Sequence, residues 1–199
     1  MKNLFLVLAM IICCNLNLSA QELTKQAFYI YYGNPKTLVQ SNSVSQGTVT
    51  VEFDRSGRVL SKIANGGEMI YNWASDGKSV KVELYNGDQY VGAAMVYIDE
   101  MSVSRCRYRA DGMDYEILYR SNGSINKLVV SAGEQSMTTT CYYANYSDVY
   151  PSRIVSAGIG HSMSVNVSGI RTDDRGNCIE YSQSAQGQLM KCKNTIVYY

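Results

Sequence analysis

Val49-Thr50-Val51-Glu52-Phe53-Asp54-Arg55-Ser56-Gly57-Arg58-Val59 decides the fold. Its first five residues alternate apolar and polar, so Val49, Val51 and Phe53 share one face of an extended segment. Asp54-Arg55-Ser56-Gly57 then supplies a turn. The aspartate can cap the turn backbone, and the glycine closes it by taking a positive φ.

The same unit recurs outward from this point. Gly57, Gly67, Gly77 and Gly87 stand ten residues apart, and Gly112, Gly123, Gly133 and the pair Gly176 and Gly187 continue the spacing at ten or eleven. Most carry Asp or Asn partners, as in Asn65-Gly66-Gly67, Asp76-Gly77, Asn86-Gly87, Asp111-Gly112 and Asn122-Gly123. Such pairs favour tight hairpins. Between the turns the side chains alternate. Val80, Val82 and Leu84 oppose Lys81 and Glu83, and Cys106 and Tyr108 oppose Arg105, Arg107 and Arg109. Tyr115, Ile117 and Tyr119 form another apolar row. Helical spacing is not sustained after the leader. The expected fold is all-β: an antiparallel meander of roughly a dozen short strands. So long a meander curls, splits into two layers or closes into a barrel. Residues 22–30 fit a short helix or an irregular strand. Residues 144–170 are less regular, and Tyr150-Pro151 and Ser156-Ala-Gly-Ile-Gly160 read as a longer connection or a bulged strand. No boundary divides residues 21–199, which are expected to form a single domain.

Residues 1–20 have the pattern of a secretory signal: Lys2, an apolar run of eleven residues from Leu4 to Cys14, and a Ser19-Ala20 ending. The run is too short to cross a bilayer as a helix. The expected locations are therefore the periplasm, the cell envelope or the outside. Lys plus Arg number 18 against 17 Asp plus Glu, and no basic block stands out, so nucleic acid is not an expected partner. Four cysteines follow the leader: Cys106, Cys141, Cys178 and Cys192. An even number in an exported chain predicts disulfides. A hairpin centred near Ala185 would set Cys178 opposite Cys192, leaving Cys106 with Cys141 as a second pair.

Two stretches resemble the YD-repeat, or Rhs-type, proteins of bacterial cell envelopes. Phe53-Asp54-Arg55-Ser56-Gly57-Arg58 matches the aromatic-Asp-x-x-Gly step and continues through Gly67 to Tyr71-Asn72-Trp73 and Asp76-Gly77. Thr172-Asp173-Asp174-Arg175-Gly176-Asn177 repeats the step with threonine for the aromatic. Tyr108 to Gly112 and Tyr119 to Gly123 are degenerate copies. The resemblance implies curled β-hairpin sheets without catalytic residues, and a small exported protein of Bacteroidetes-like bacteria.

The polar machinery for catalysis is thin. There is one histidine, His161, which excludes a multi-His metal site within one chain. No Gly-x-Ser-x-Gly nucleophile turn occurs, and no glycine loop leads into a helix to hold phosphate. Asp173-Asp174-Arg-Gly-Asn177 lacks the spacing of a calcium loop. No metal, cofactor or catalytic residue is expected. The carboxylates fall in turns (Asp54, Asp76, Asp88, Asp111) or on polar strand faces (Glu52, Glu83, Glu116). A secreted hydrolase with a carboxylate pair is the alternative. The main expectation is a non-enzymatic structural or binding protein whose partner is an extended glycan or peptide. Candidate ligand contacts are Tyr71 and Trp73, which share a face with Met69; that face is either an exposed stacking platform or core. An outer-membrane barrel is disfavoured by the frequency of the turns and by charges on both strand faces.

Overall fold

A computed structural model describes residues 35–44, 47–102, 104–110, 112–158 and 160–199, with the side chains of Met101 and His161 outside that description. The leader, the undecided segment 22–30 and Asp111 also lie outside the described residues.

The described residues form fourteen antiparallel strands. They are β1 (Pro35–Asn42), β2 (Thr48–Phe53), β3 (Val59–Ala64), β4 (Gly67–Trp73), β5 (Ser79–Asn86), β6 (Gln89–Met101) and β7 (Arg105–Ala110). They continue with β8 (Met113–Tyr119), β9 (Ile125–Ala132), β10 (Gln135–Tyr142), β11 (Arg153–Gly158), β12 (His161–Thr172), β13 (Cys178–Ala185) and β14 (Gln188–Tyr198). Each strand pairs with its neighbour in sequence, and β1 pairs with β14, closing the meander into a barrel. Of the three forms open to a long meander, closure is the one adopted.

Successive hairpins turn at opposite rims. At one rim the turns are tight. Asn65-Gly66 and Gln186-Gly187 have positive φ at both residues, the geometry that matches strand twist in two-residue hairpins. The other rim carries five-residue turns. Gly57 N–H donates to the Asp54 carbonyl, and Asp54 N–H donates to the Arg58 carbonyl, both at 2.9 Å. Asp173–Asn177 and Arg120–Ser124 repeat that pattern. The Asp54 carboxylate also takes the Arg58 N–H at 2.9 Å, and Asp173 takes the Asn177 N–H at 2.8 Å. The Asp-x-x-Gly reading of these turns therefore holds atom for atom. The irregular stretch resolves into a connection at this rim, residues 143–152, followed by β11. Ser156-Ala-Gly is not part of the connection: it completes β11.

Directly opposed residues share a face, so register assigns each side chain. Val80 opposes Val96. Cys106 opposes Ile117, Ile117 opposes Leu128, and Leu128 opposes Thr139. These rows point inward. Fourteen strands can enclose a lumen, but Val51, Val59, Val80 and Ile117 have no exposed surface. One apolar core draws on β1 to β9, β11, β12 and β13. A second, smaller cluster joins Cys178, Tyr181, Met190 and Cys192, with Tyr150 packed against it.

Charge is confined to the outward rows more strictly than the sequence suggested. Lys81 pairs with Glu83 at 2.7 Å, Arg107 with Glu100 at 3.1 Å, Arg109 with Asp114 at 2.7 Å, and Arg171 with Glu180 at 2.9 Å. The expectation of charges on both strand faces is corrected accordingly. Lys62, opposite Val51 and Met69, is an exception among the described strands. The reason is register: alternation through each hairpin keeps the basic and acidic positions in phase on the wet side.

Candidate functional site

The rim of five-residue turns gathers arginines onto aromatic rings. Arg55 lies 5.6 Å from the Tyr199 ring centre, Arg58 5.3 Å from Trp73, and Arg175 3.9 Å from Tyr198. Further round the same rim, Arg120 stacks on Tyr143 at 4.0 Å and reaches Tyr146, and Arg153 stacks on Tyr142 at 4.6 Å. Every guanidinium–ring stack among the described residues is at this rim.

Closure assembles the site. The two best Asp-x-x-Gly turns, 54–58 and 173–177, are remote in sequence but separated in the ring only by the paired β1 and β14 and their flanking strands. The end of β14 bridges them. Tyr199 donates its hydroxyl to the Phe53 carbonyl, and Tyr198 donates to the Asp173 carboxylate. Asn177 donates to the Tyr198 hydroxyl at 2.7 Å. Tyr150 extends the crest: it accepts from Cys178 N–H at 2.9 Å and donates to the Gly176 carbonyl at 3.0 Å, holding the 143–152 connection against the 173–177 turn.

The carboxylates here serve their own turns. Burial alone would raise the Asp54 pKa, but hydrogen bonds from the Ser56 hydroxyl and the Arg58 and Ser56 amides, with the Arg58 charge, hold it below the ordinary carboxylate range. Asp173 is likewise lowered: a burial effect that would raise it is outweighed by donors from Tyr198, Asn177 and Arg175. Burial, with the hydrogen bond to Asp173, pushes Tyr198 up to about 12, so it remains a donor. Among the described residues Arg55, Arg58 and Arg153 form no ion pair, unlike the arginines of the outer wall. A guanidinium held over a ring face by its charge still has N–H groups to offer an acceptor.

The outer wall holds a trough of about 500 Å³ lined by Asp99, Arg107, Arg109, Asp114 and Glu116, among others. Its arginines are matched by carboxylates: Arg107 by Glu100, and Arg109 by Asp114. No group of three or more potential metal-ligating side chains occurs among the described residues.

Tyr71 and Trp73 take the core side of the two placements the sequence left open. Tyr71 is buried in the main core, and Trp73 packs against it. Trp73 Nε1 donates to the Val59 carbonyl at 2.9 Å, and its ring lies under Arg58 at the rim. Sequence reading missed the stacked arginines. Their only signal was an arginine inside or just after each Asp-x-x-Gly step.

None of the four described cysteines is joined in a disulfide here. The β13–β14 hairpin turns at Gln186-Gly187 rather than at Ala185, so Cys192 faces Tyr181 and not Cys178. A bulge on β13, between the pairs Arg171–Glu180 and Thr172–Cys178, nevertheless turns Cys178 inward. Cys178 and Cys192 therefore meet in one cluster. Burial chiefly, and then Cys192 as a neighbour, push the Cys178 pKa up to about 11 against a backbone hydrogen bond that lowers it. Cys106 and Cys141 lie on β7 and β10, with two strands between them. That is roughly 14 Å along the wall at the usual strand spacing, beyond disulfide reach.

No family model matches the chain, and no curated protein matches it, so the likeness to YD repeats is not carried by a family match. Among solved structures, a porin-like protein from Bacteroides vulgatus is similar at 11% identity, covering 83% of this chain and 99% of that one with a TM-score of 0.44.

Proposed function

We propose that this is a non-enzymatic protein of the cell envelope or its exterior, a water-soluble barrel that works by binding at its rim. The polarity of the wall carries the reading. Membrane barrels turn an apolar band to lipid and a polar surface to the lumen. Here the order is reversed. Ile117 and Val80 are wholly buried inside, while Arg107 and Glu116 stand mid-strand on the outer wall, with Arg105 and Arg109 on the same face towards the ends of β7. An outward arginine costs about 2–4 kcal/mol at the lipid midplane and less towards the interfaces, so Arg107 at mid-strand, flanked by Arg105 and Arg109, weighs against insertion. The burial of Val51, Val59, Val80 and Ile117 inside the ring supports the same reading. No helix among the described residues is long and apolar enough to cross a membrane, and the secretory pattern of residues 1–20 supports export.

Binding rather than catalysis is favoured because the carboxylates with the most distinctive surroundings, Asp54 and Asp173, are occupied by turn amides. The test is behaviour without detergent. The protein is expected to stay folded and monodisperse in plain buffer, and to add no conductance to a planar bilayer. Extraction only with detergent, or discrete conductance steps, would overturn this reading.

A further inference from the structure

We propose that the adjoining turns 54–58 and 173–177, with Tyr198 and Tyr199 between them, form a docking surface for an acidic polysaccharide, a chain of uronic acids. This rests on the binding reading above and specifies its ligand.

These two turns carry three guanidiniums, each over its own ring: Arg58 over Trp73, Arg55 over Tyr199, Arg175 over Tyr198. Attraction to a ring holds a guanidinium near one place and limits the rotamer freedom lost on binding. The N–H groups of Arg55 and Arg58 suit a carboxylate, which a guanidinium can grip with two parallel hydrogen bonds. Arg55 and Arg58 have no competing ion pair among the described residues, and the nearby Asp54 Oδ1 already accepts from the Ser56 hydroxyl and the Arg58 N–H. The aromatic component distinguishes the ligand. Tyr199 stays half-exposed beside its arginine, so one surface offers both a carboxylate grip and a flat face for a sugar ring. An acidic peptide would use the charges without the rings. The opposite rim has no equivalent: its described turns carry Asp88 and Glu134 and no arginine.

The full exported chain is titrated calorimetrically with polygalacturonate, neutral dextran and poly-L-glutamate. Polygalacturonate is expected to bind, more weakly as salt rises, and to exceed both other polymers. Arg55→Gln with Arg58→Gln should weaken it at least ten-fold while the melting temperature stays within a few degrees. Arg55→Lys with Arg58→Lys should weaken it too, because lysine keeps the charge and loses the planar fork. Arg105→Gln with Arg107→Gln, on the outer wall, should leave it unchanged. An unaltered affinity in the Arg55/Arg58 glutamine variant, a preference for polyglutamate, or no binding of polygalacturonate would each overturn the proposal. Binding of another polymer that ignores both arginines would sink this surface while leaving the binding reading intact. Turnover of polygalacturonate bound through these arginines would leave the surface standing and sink the non-enzymatic reading.

Discussion

Replacing Ile117 by alanine tests the orientation of the whole wall. Ile117 sits mid-β8 with no exposed surface, opposed by Cys106 on one side and Leu128 on the other. Alanine removes three carbons, worth about 2.4 kcal/mol at ~0.8 kcal/mol each. If the surrounding side chains cannot close the gap, the loss rises towards about 4–5 kcal/mol. Its neighbour Glu116 points outward and pairs with Arg105 at 3.4 Å. Glu116→Ala should cost no more than about 1 kcal/mol. Urea unfolding followed by circular dichroism, in buffer without detergent, reads both. With a slope of about 2 kcal/mol per molar urea, Ile117→Ala should lower the midpoint by more than 1 M and Glu116→Ala by less than half that. Equal shifts, or a larger one for Glu116→Ala, would mean that the faces are assigned the wrong way round.

Trp73→Ala should cost about 3 kcal/mol, since the ring packs on the core and its N–H is bonded to Val59; an unchanged melting temperature would refute that placement. Gly158→Ala should destabilise by at least ~2 kcal/mol, because φ is 153° and a Cβ would press on the Ser136 carbonyl and come within 2.8 Å of Met137 Cα; wild-type stability by thermal melt would show that the strand can shift. The depressed carboxylates Asp54 and Asp173 contribute stability above their unfolded pKa, and that stability is lost as pH falls through their still lower folded values. Acid unfolding should therefore be steepest below about pH 4, and Asp54→Asn with Asp173→Asn should flatten it; an equally steep profile in that variant would assign the effect elsewhere. Oxidised protein should carry a Cys178–Cys192 bridge, because both thiols share one cluster; non-reducing peptide mapping that joins either to Cys106 or Cys141 would refute it.

The strands were legible because their two periods coincide. Alternation in 49–53, 80–84 and 105–109 marks the faces, and a turn glycine every ten or eleven residues marks the ends. Closure was one of several open outcomes because the decisive pairing, β1 with β14, joins residues such as Leu38 and Ile196, and no local pattern reports a partner so remote. The cysteine register failed for a related reason. Parity counting assumes unbroken alternation, whereas the β13 bulge inserts a residue, and Gln186, a non-glycine at φ 48°, takes the turn. The rim site was visible only as turn chemistry. Stacking of Arg55 on Tyr199 needs the chain to return to its start, and sequence spacing cannot show that.

The β1–β14 seam also bears on how the barrel is made. Every other strand pairing joins neighbours along the chain and can zip up one hairpin at a time, with little entropy lost at each step. The seam must wait until the last described strand is in place, so a sheet assembled without it has two unpaired edges. The same feature frees the chain ends from the order of folding. Because β1 begins and β14 ends at one rim, a short linker there and a cut at Asn65-Gly66 or Gln186-Gly187 would give a permuted chain whose late-closing seam lies elsewhere on the same ring.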